Sequence, residues 1–114
     1  MCITLGAFGA HGLKMILSPE SMSVFQTAVT YQMWHSFALI LIALMMDANV
    51  HSNTKLLVWS ARLMGIGIVF FSGSLYFLAV FNCRWLGVIT PIGGISFLMA
   101  WLLIFIFSLK GHRK

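Results

Sequence analysis

The sequence predicts an all-α fold, a polytopic membrane helix bundle that forms a single integral membrane domain over residues 1–114. The first observation is composition, because hydrophobic residues make up 61% of the chain and charged residues only 8%. Soluble domains hold roughly 45–50% apolar and about 25% charged residues. A soluble domain of this length is mostly surface and could not hide so many apolar side chains. The second observation is that these side chains are concentrated in three long segments.

The three apolar segments cover residues 24–46, 63–81 and 86–109. Each is close to the length of about 20 residues that lets a helix cross a hydrocarbon core of ~30 Å. Helix is the predicted state because lipid offers no hydrogen-bond partner to an unpaired backbone amide. The connection at residues 82–85 is short, so the last two helices are predicted to be antiparallel neighbours.

Local signals predict where the helices begin. Ser18, Pro19 and Glu20 supply a capping hydroxyl, a proline for the first helical position and an acid for the first turn. A helix is therefore expected from near Pro19, and Asn53 is a predicted cap for the next one. Residues 1–10 are apolar but too short to span. We expect them to be the C-terminal half of a truncated first helix, next to three full spanning helices.

The basic residues predict the orientation. Lys14 and Arg84 fall on one side of the membrane. The other side carries the larger group: Lys55, Arg62, Lys110, Arg113 and Lys114. Since basic residues accumulate on the cytoplasmic side, a cytoplasmic C-terminus in the bacterial inner membrane is predicted. The basic residues lie singly between apolar segments, which argues against a nucleic-acid partner. The tryptophans are expected mostly near span ends as interface anchors, Trp101 fitting least well.

Polar side chains inside the spans supply the candidate site, since each is costly in lipid and needs a partner. The topology places a group of them in the predicted outer half of the bundle, and we name this group the polar cluster: His11, Tyr31, Gln32, His35, Tyr76 and Thr90. Such residues either bond one helix to another or bind a ligand or proton. Small residues are expected at close helix contacts: Gly65, Gly67, Gly73, Gly87, Gly93 and Gly94.

The sequence lacks the residue sets that several classes of enzyme and metal site require. The only two acids, Glu20 and Asp47, are predicted at opposite membrane faces, which excludes a paired-carboxylate mechanism. His11 and His35, with no acid or cysteine predicted beside them, fall short of the usual three or four metal ligands. No phosphate-binding loop, dinucleotide fingerprint or serine-histidine-acid set occurs. We therefore predict no enzymatic activity, no cofactor and no metal.

Four motifs occur in order along nearly the whole chain: LGAFGAHG at residues 5–12, YQ-x-x-H at 31–35, FSGSLY at 71–76 and TP-x-GG at 90–94. Together they resemble domain-of-unknown-function family 423, the YgdD-like inner membrane proteins, which are similar to eukaryotic transmembrane protein 256. The resemblance implies four spanning helices in the full-length family and no established activity. It matches the family's recurrent polar positions to His11, Tyr31, Gln32, His35, Ser72, Ser74 and Thr90.

Two functions follow as hypotheses. The first is a non-enzymatic structural or assembly protein, whose partners are the lipid bilayer and either further copies of the chain or other membrane subunits. In that case the polar cluster bonds helices together. The second is a carrier or channel for a small solute or a proton, in which His11 and His35 titrate. The small size of the chain weighs against the second unless the protein oligomerises.

Overall fold

The computed structural model describes residues 1–49 and 53–111. Arg113 and Lys114, which contribute to the predicted orientation, lie outside the described residues. The described part contains five α-helices: α1 Cys2–His11, α2 Pro19–Ala48, α3 Lys55–Gly67, α4 Gly73–Phe81 and α5 Thr90–Gly111. Between α3 and α4 the chain makes one π-helical turn, Ile68–Ser72, so the two helices form one continuous rod. Short 3-10 turns precede α2 at Leu13–Met15 and α5 at Arg84–Val88.

Three stretches are long and apolar enough to cross a membrane: Pro19–Ala48, Lys55–Phe81 and Arg84–Gly111. They contain the three predicted apolar segments and extend beyond them at their ends, because helical structure continues into the polar flanks. No strand occurs in the described ranges, which agrees with the predicted all-α bundle. The first helix, α1, has 10 residues and is too short to span.

The predicted start of α2 is confirmed, whereas the N-cap residue of α3 is Thr54, one residue after the predicted Asn53. The Ser18 hydroxyl accepts a hydrogen bond of 3.2 Å from the Ser21 amide, and Pro19 is the first residue of α2. The side chain of Asn53 accepts a bond of 3.1 Å from the amide of Lys55 at the start of α3. Asn82 has a φ of 53° and ends α4 in the left-handed conformation, which asparagine tolerates. The chain can therefore reverse within a few residues and start α5 antiparallel to α4.

Apolar packing is concentrated in two regions. Towards the predicted cytoplasmic end, α3 packs against α5 and α2, and the buried side chains are Ala38, Ile42, Leu57, Met64, Phe97, Ala100 and Ile104. Towards the other end, α2 packs against α4 and α1, around Leu13, Phe25 and Ala79. Many large apolar side chains point outward instead, as lipid-facing residues do. The polar side chains described below lie between these packed faces.

The glycine expectation holds for only part of the set. A Cβ atom at Gly93 would overlap the backbone of Phe71, and one at Gly67 would overlap the ring of Phe97. Gly94 also lies near the Phe71 ring. The expectation is wrong for the others, since a Cβ atom would meet nothing within 4 Å at Gly65, Gly73 or Gly87. These three face away from the neighbouring helices, a direction that spacing along the sequence did not reveal.

Candidate functional site

Gln32 and Tyr76 form a direct bond between two spans. Gln32 is buried on α2, and its Oε1 accepts a hydrogen bond of 2.5 Å from the Tyr76 hydroxyl on α4. Phe25, about two helical turns before Gln32, packs its ring edge against the Tyr76 ring with centroids 5.2 Å apart. The polar pair is thus shielded on one side by an aromatic contact, and its partners are held in place by packing.

Ser74 and Thr90 form a second interhelical pair. Their hydroxyl oxygens are 2.6 Å apart, and Ser74 also donates to the carbonyl of Phe71 at 2.9 Å. The Thr90 hydroxyl can likewise donate to the Leu86 carbonyl, 3.4 Å away, so either residue can be the donor between the two. The pair joins the first turn of α4 to the first turn of α5.

His35 has a fixed environment on α2. Its Nδ1 lies 2.7 Å from the Tyr31 carbonyl, its Nε2 accepts a bond of 3.3 Å from the indole of Trp101, and its ring stacks on Phe97 with centroids 3.5 Å apart. A carbonyl can only accept and an indole N–H can only donate. Both bonds are therefore made by the neutral imidazole that carries its proton on Nδ1.

The His35–Trp101 pair lies deeper than the sequence predicted. His35 is near the midpoint of α2 and Trp101 near the midpoint of α5, so their bond crosses the middle of the bundle and not its outer half. Trp34 also lies near the middle of α2. The expectation of a position near a span end is wrong for Trp34, whereas Trp101 was already expected to fit least well. The poor fit of Trp101 to an interface belt was the one sequence signal of its different role, and Trp101 was missed as a site residue.

His11 is not brought to the rest of the polar cluster. It ends α1 in an exposed position, and it takes part in none of the hydrogen bonds that join the spans. Tyr31 is adjacent to the cluster through its ring, which stacks with His35 at a centroid distance of 6.0 Å and lies tilted against Phe71 at 4.6 Å. The predicted group of six therefore separates into Gln32 with Tyr76, Thr90 with Ser74, His35 beside Tyr31, and an isolated His11.

Two serines that sequence reasoning missed join α3 to α5. Ser60 donates to the Ala100 carbonyl at 2.8 Å, and Ser96 donates to the Leu63 carbonyl at 2.7 Å. Their only signal was a hydroxyl within an apolar span, which is too common to single out. A third serine, Ser72 in the π turn, is buried, and its hydroxyl has no hydrogen-bond partner within residues 1–49 and 53–111. Over the same ranges, no three histidine, cysteine or acidic residues are grouped to hold a metal ion.

Comparison with known proteins follows the same motifs. The family model described as "Protein of unknown function (DUF423)" matches residues 5–94. A UPF0382 membrane protein of Staphylococcus epidermidis is 49% identical over 110 residues, which cover 96% of this chain and 87% of the relative. The UPF0382 membrane protein YwdK of Bacillus subtilis is 39% identical over 96% of this chain and 88% of the relative. The UPF0382 inner membrane protein YgdD of Escherichia coli K12 is 37% identical over 98% of this chain and 83% of the relative. No solved structure matches the chain.

Proposed function

Because this chain belongs to the DUF423 family of membrane proteins of unknown function, we propose that it is a non-enzymatic assembly protein of the bilayer. Its buried polar groups hold its own spans together, and its outward faces receive other membrane subunits or further copies of the chain. One observation carries this proposal: among the described residues, every buried polar side chain except Ser72 takes part in a bond between two spans.

The bonds occur at several depths of the bundle. Gln32 pairs with Tyr76 between α2 and α4, and His35 pairs with Trp101 between α2 and α5. Ser60 and Ser96 bind carbonyls across the α3–α5 contact. In lipid, polar side chains and close packing replace the hydrophobic drive that brings helices together in water. Groups used in this way are not available to bind a transported solute.

The carrier hypothesis finds less support. A proton path through His11 and His35 needs the two imidazoles to be linked by polar groups. His11 is exposed at the end of α1, whereas His35 is enclosed by Phe97, Trp101 and the backbone of Tyr31. Both ring nitrogens of His35 already have fixed partners. These contacts favour a structural role for His35 over a role in proton transfer.

The proposal places the protein in the bacterial inner membrane with a cytoplasmic C-terminus. In support, Lys55 and Lys110 line the same hollow at one end of the bundle, and the relative YgdD is named an inner membrane protein. Alkaline phosphatase fused after Lys114 should be inactive, and the same enzyme fused after Asn82 should be active. Activity of the Lys114 fusion would reverse the orientation.

The assembly role is tested on the full chain, tagged and produced at its native level. Extraction in a mild non-ionic detergent, followed by native mass analysis, should give a discrete complex larger than one copy of the chain. Reconstitution into liposomes with an internal pH dye should give no proton flux above that of empty liposomes. A strictly monomeric protein, or a flux that disappears in a His35→Gln variant, would contradict the proposal.

A further inference from the structure

The start of α3 and the end of α5 meet at one end of the bundle. Two serine hydroxyls bond to carbonyls across the α3–α5 contact, which fixes an antiparallel register between the helices. Lys55 is the first residue of α3, and Lys110 lies one residue before the end of α5. The fold therefore brings together two lysines that are far apart in the sequence.

Both lysines border one hollow at this end, which we call the lysine hollow. Its volume is about 450 Å³, and the ends of α2, α3 and α5 contribute to its wall. Its lining includes two amide side chains, the two lysines and two large apolar residues: Asn49, Asn53, Lys55, Lys110, Leu56 and Phe107. The hollow thus combines positive charge, hydrogen-bond donors and an apolar surface.

The positive charge of the lysine hollow is not balanced by an acid of the chain. The only two acids are Glu20 and Asp47, and neither lines the hollow. Asp47 lies two residues before Asn49, and the helical rotation of about 200° turns it to a different side of α2. Like charges around one space repel each other, and an anion placed between them removes that repulsion.

The amide side chains add hydrogen-bond donors. Nδ2 of Asn49 donates to the Met45 carbonyl at 2.7 Å, which uses one of its two N–H groups. Oδ1 of Asn53 accepts a bond of 3.1 Å from the Lys55 amide, and its two N–H groups have no partner among the described residues. Phosphate oxygens accept from such N–H groups and from the ammonium groups of lysine. The donor set therefore suits a phosphate.

The apolar part of the hollow indicates a phospholipid and not a free ion. Phe107 is half-buried and packs against the apolar core, and Leu56 is also half-buried. All three spans have an end here, so the hollow lies where lipid headgroups meet acyl chains. Basic pockets between spans are a known place for anionic headgroups. Inorganic phosphate would leave the apolar surface unused.

We propose that the lysine hollow is a binding site for the headgroup of an anionic phospholipid. The phosphate lies between the ammonium groups of Lys55 and Lys110 and accepts from the Asn53 amide, and an acyl chain runs along Phe107. Phosphatidylcholine is disfavoured, because its choline cation meets two positive side chains. This inference goes beyond the proposed assembly role and does not depend on it.

The test measures lipid retention by the full chain in nanodiscs of equal parts phosphatidylglycerol and phosphatidylcholine. After release from the nanodiscs, native mass analysis should show phosphatidylglycerol retained in preference. Lys55→Gln and Lys110→Gln should each lower this retention about fivefold, as expected for one lysine near an anionic surface. Arg62→Gln is the matched control, because Arg62 also lies on α3 but contacts Trp59 and does not line the hollow. It should retain the lipid as the wild type does.

Photochemical crosslinking supplies a second readout that keeps both lysines. A benzophenone side chain in place of Phe107 should capture phosphatidylglycerol more than phosphatidylcholine. The same group in place of Phe105, which is 61% exposed on α5, should capture both alike.

Three results would overturn the proposal. Equal losses in all three glutamine variants would mean that only the general charge of this end matters. Equal retention of the two lipids by the wild type would exclude an anionic site. Displacement of phosphatidylglycerol by inorganic phosphate would identify a free anion as the ligand. A protein complex that keeps its size in Lys110→Gln while the lipid is lost supports the inference and leaves the assembly function standing.

Discussion

The Tyr76 hydroxyl lies 2.5 Å from Oε1 of Gln32 and donates to it from a different span, 44 residues along the chain. The Tyr76 ring packs against the edge of Phe25, which shields one side of the pair. The bond fixes the rotation of α2 relative to α4, since neither side chain reaches the other if one helix turns by a single residue.

Removal of the Tyr76 hydroxyl should weaken the bundle measurably. Tyr76→Phe keeps the ring against Phe25 and leaves the Gln32 amide without this donor. We expect the free energy of unfolding in detergent to fall by about 0.6 kcal/mol, and by no more than roughly 2 kcal/mol. A double-mutant cycle with Gln32→Leu checks the assignment, because the two effects should be less than additive. Strictly additive losses would mean that the pair contributes nothing as a pair.

Two serines of the same rod should respond in opposite ways to alanine. Ser60 is fully buried and donates to the Ala100 carbonyl, whereas buried Ser72 has no partner in the described part of the chain. Ser60→Ala should lower the melting temperature, because the loss of a hydrogen bond costs about 0.5–1.5 kcal/mol. Ser72→Ala should leave it unchanged or raise it, because the variant no longer buries an unsatisfied hydroxyl. Thermal denaturation of both variants, side by side in one detergent, decides the point. A larger loss in Ser72→Ala would reveal an additional bond at the π turn.

Alanine at Gly93 should disrupt the contact between α5 and the π turn. The added methyl group would meet the Phe71 backbone, which cannot move aside as a flexible side chain can. Overpacking of this kind costs about 1–3 kcal/mol. Gly73→Ala is the matched control, because its Cβ atom would meet nothing within 4 Å and alanine favours helix. Protein level and melting temperature should fall for Gly93→Ala alone. Equal tolerance at both positions would contradict the close approach of α5 to the π turn.

The role of His35 is separated by two substitutions. His35→Gln retains a donor and an acceptor, and His35→Leu retains neither. Both remove the stacking on Phe97, so the difference between them reports the hydrogen bonds to Trp101 and to the Tyr31 carbonyl. We expect a lower membrane level and a lower melting temperature for His35→Leu than for His35→Gln. The free energy of unfolding should be lower by about 1–3 kcal/mol, because the Trp101 indole N–H is left unpaired. Identical stability of the two variants would mean that these bonds contribute nothing.

The spans were predictable, whereas most pairings between them were not. The length of the apolar segments and the Ser18–Pro19 signal are local properties of the sequence. They were enough to predict the three spanning helices and the start of α2. Pairing depends on the rotation of each helix, which neighbouring helices and the π turn decide together. For this reason His11, placed at the same end as Thr90 by chain order alone, turned out to be isolated. Trp34 was expected nearer the membrane surface, because depth was inferred from segment ends and not from contacts.

The π turn at Ile68–Ser72 has a consequence for the third span as a whole. α3 packs chiefly against α5, and α4 packs against α2. A π turn holds about one residue more than an α-helical turn, and this shifts the angular phase of all the residues after it. Deletion of one residue there would rotate α4 by about 100° and carry Tyr76 away from Gln32. The one extra residue in the π turn therefore sets the rotation of α4 relative to α3, so that a single continuous rod can pack against two different helices.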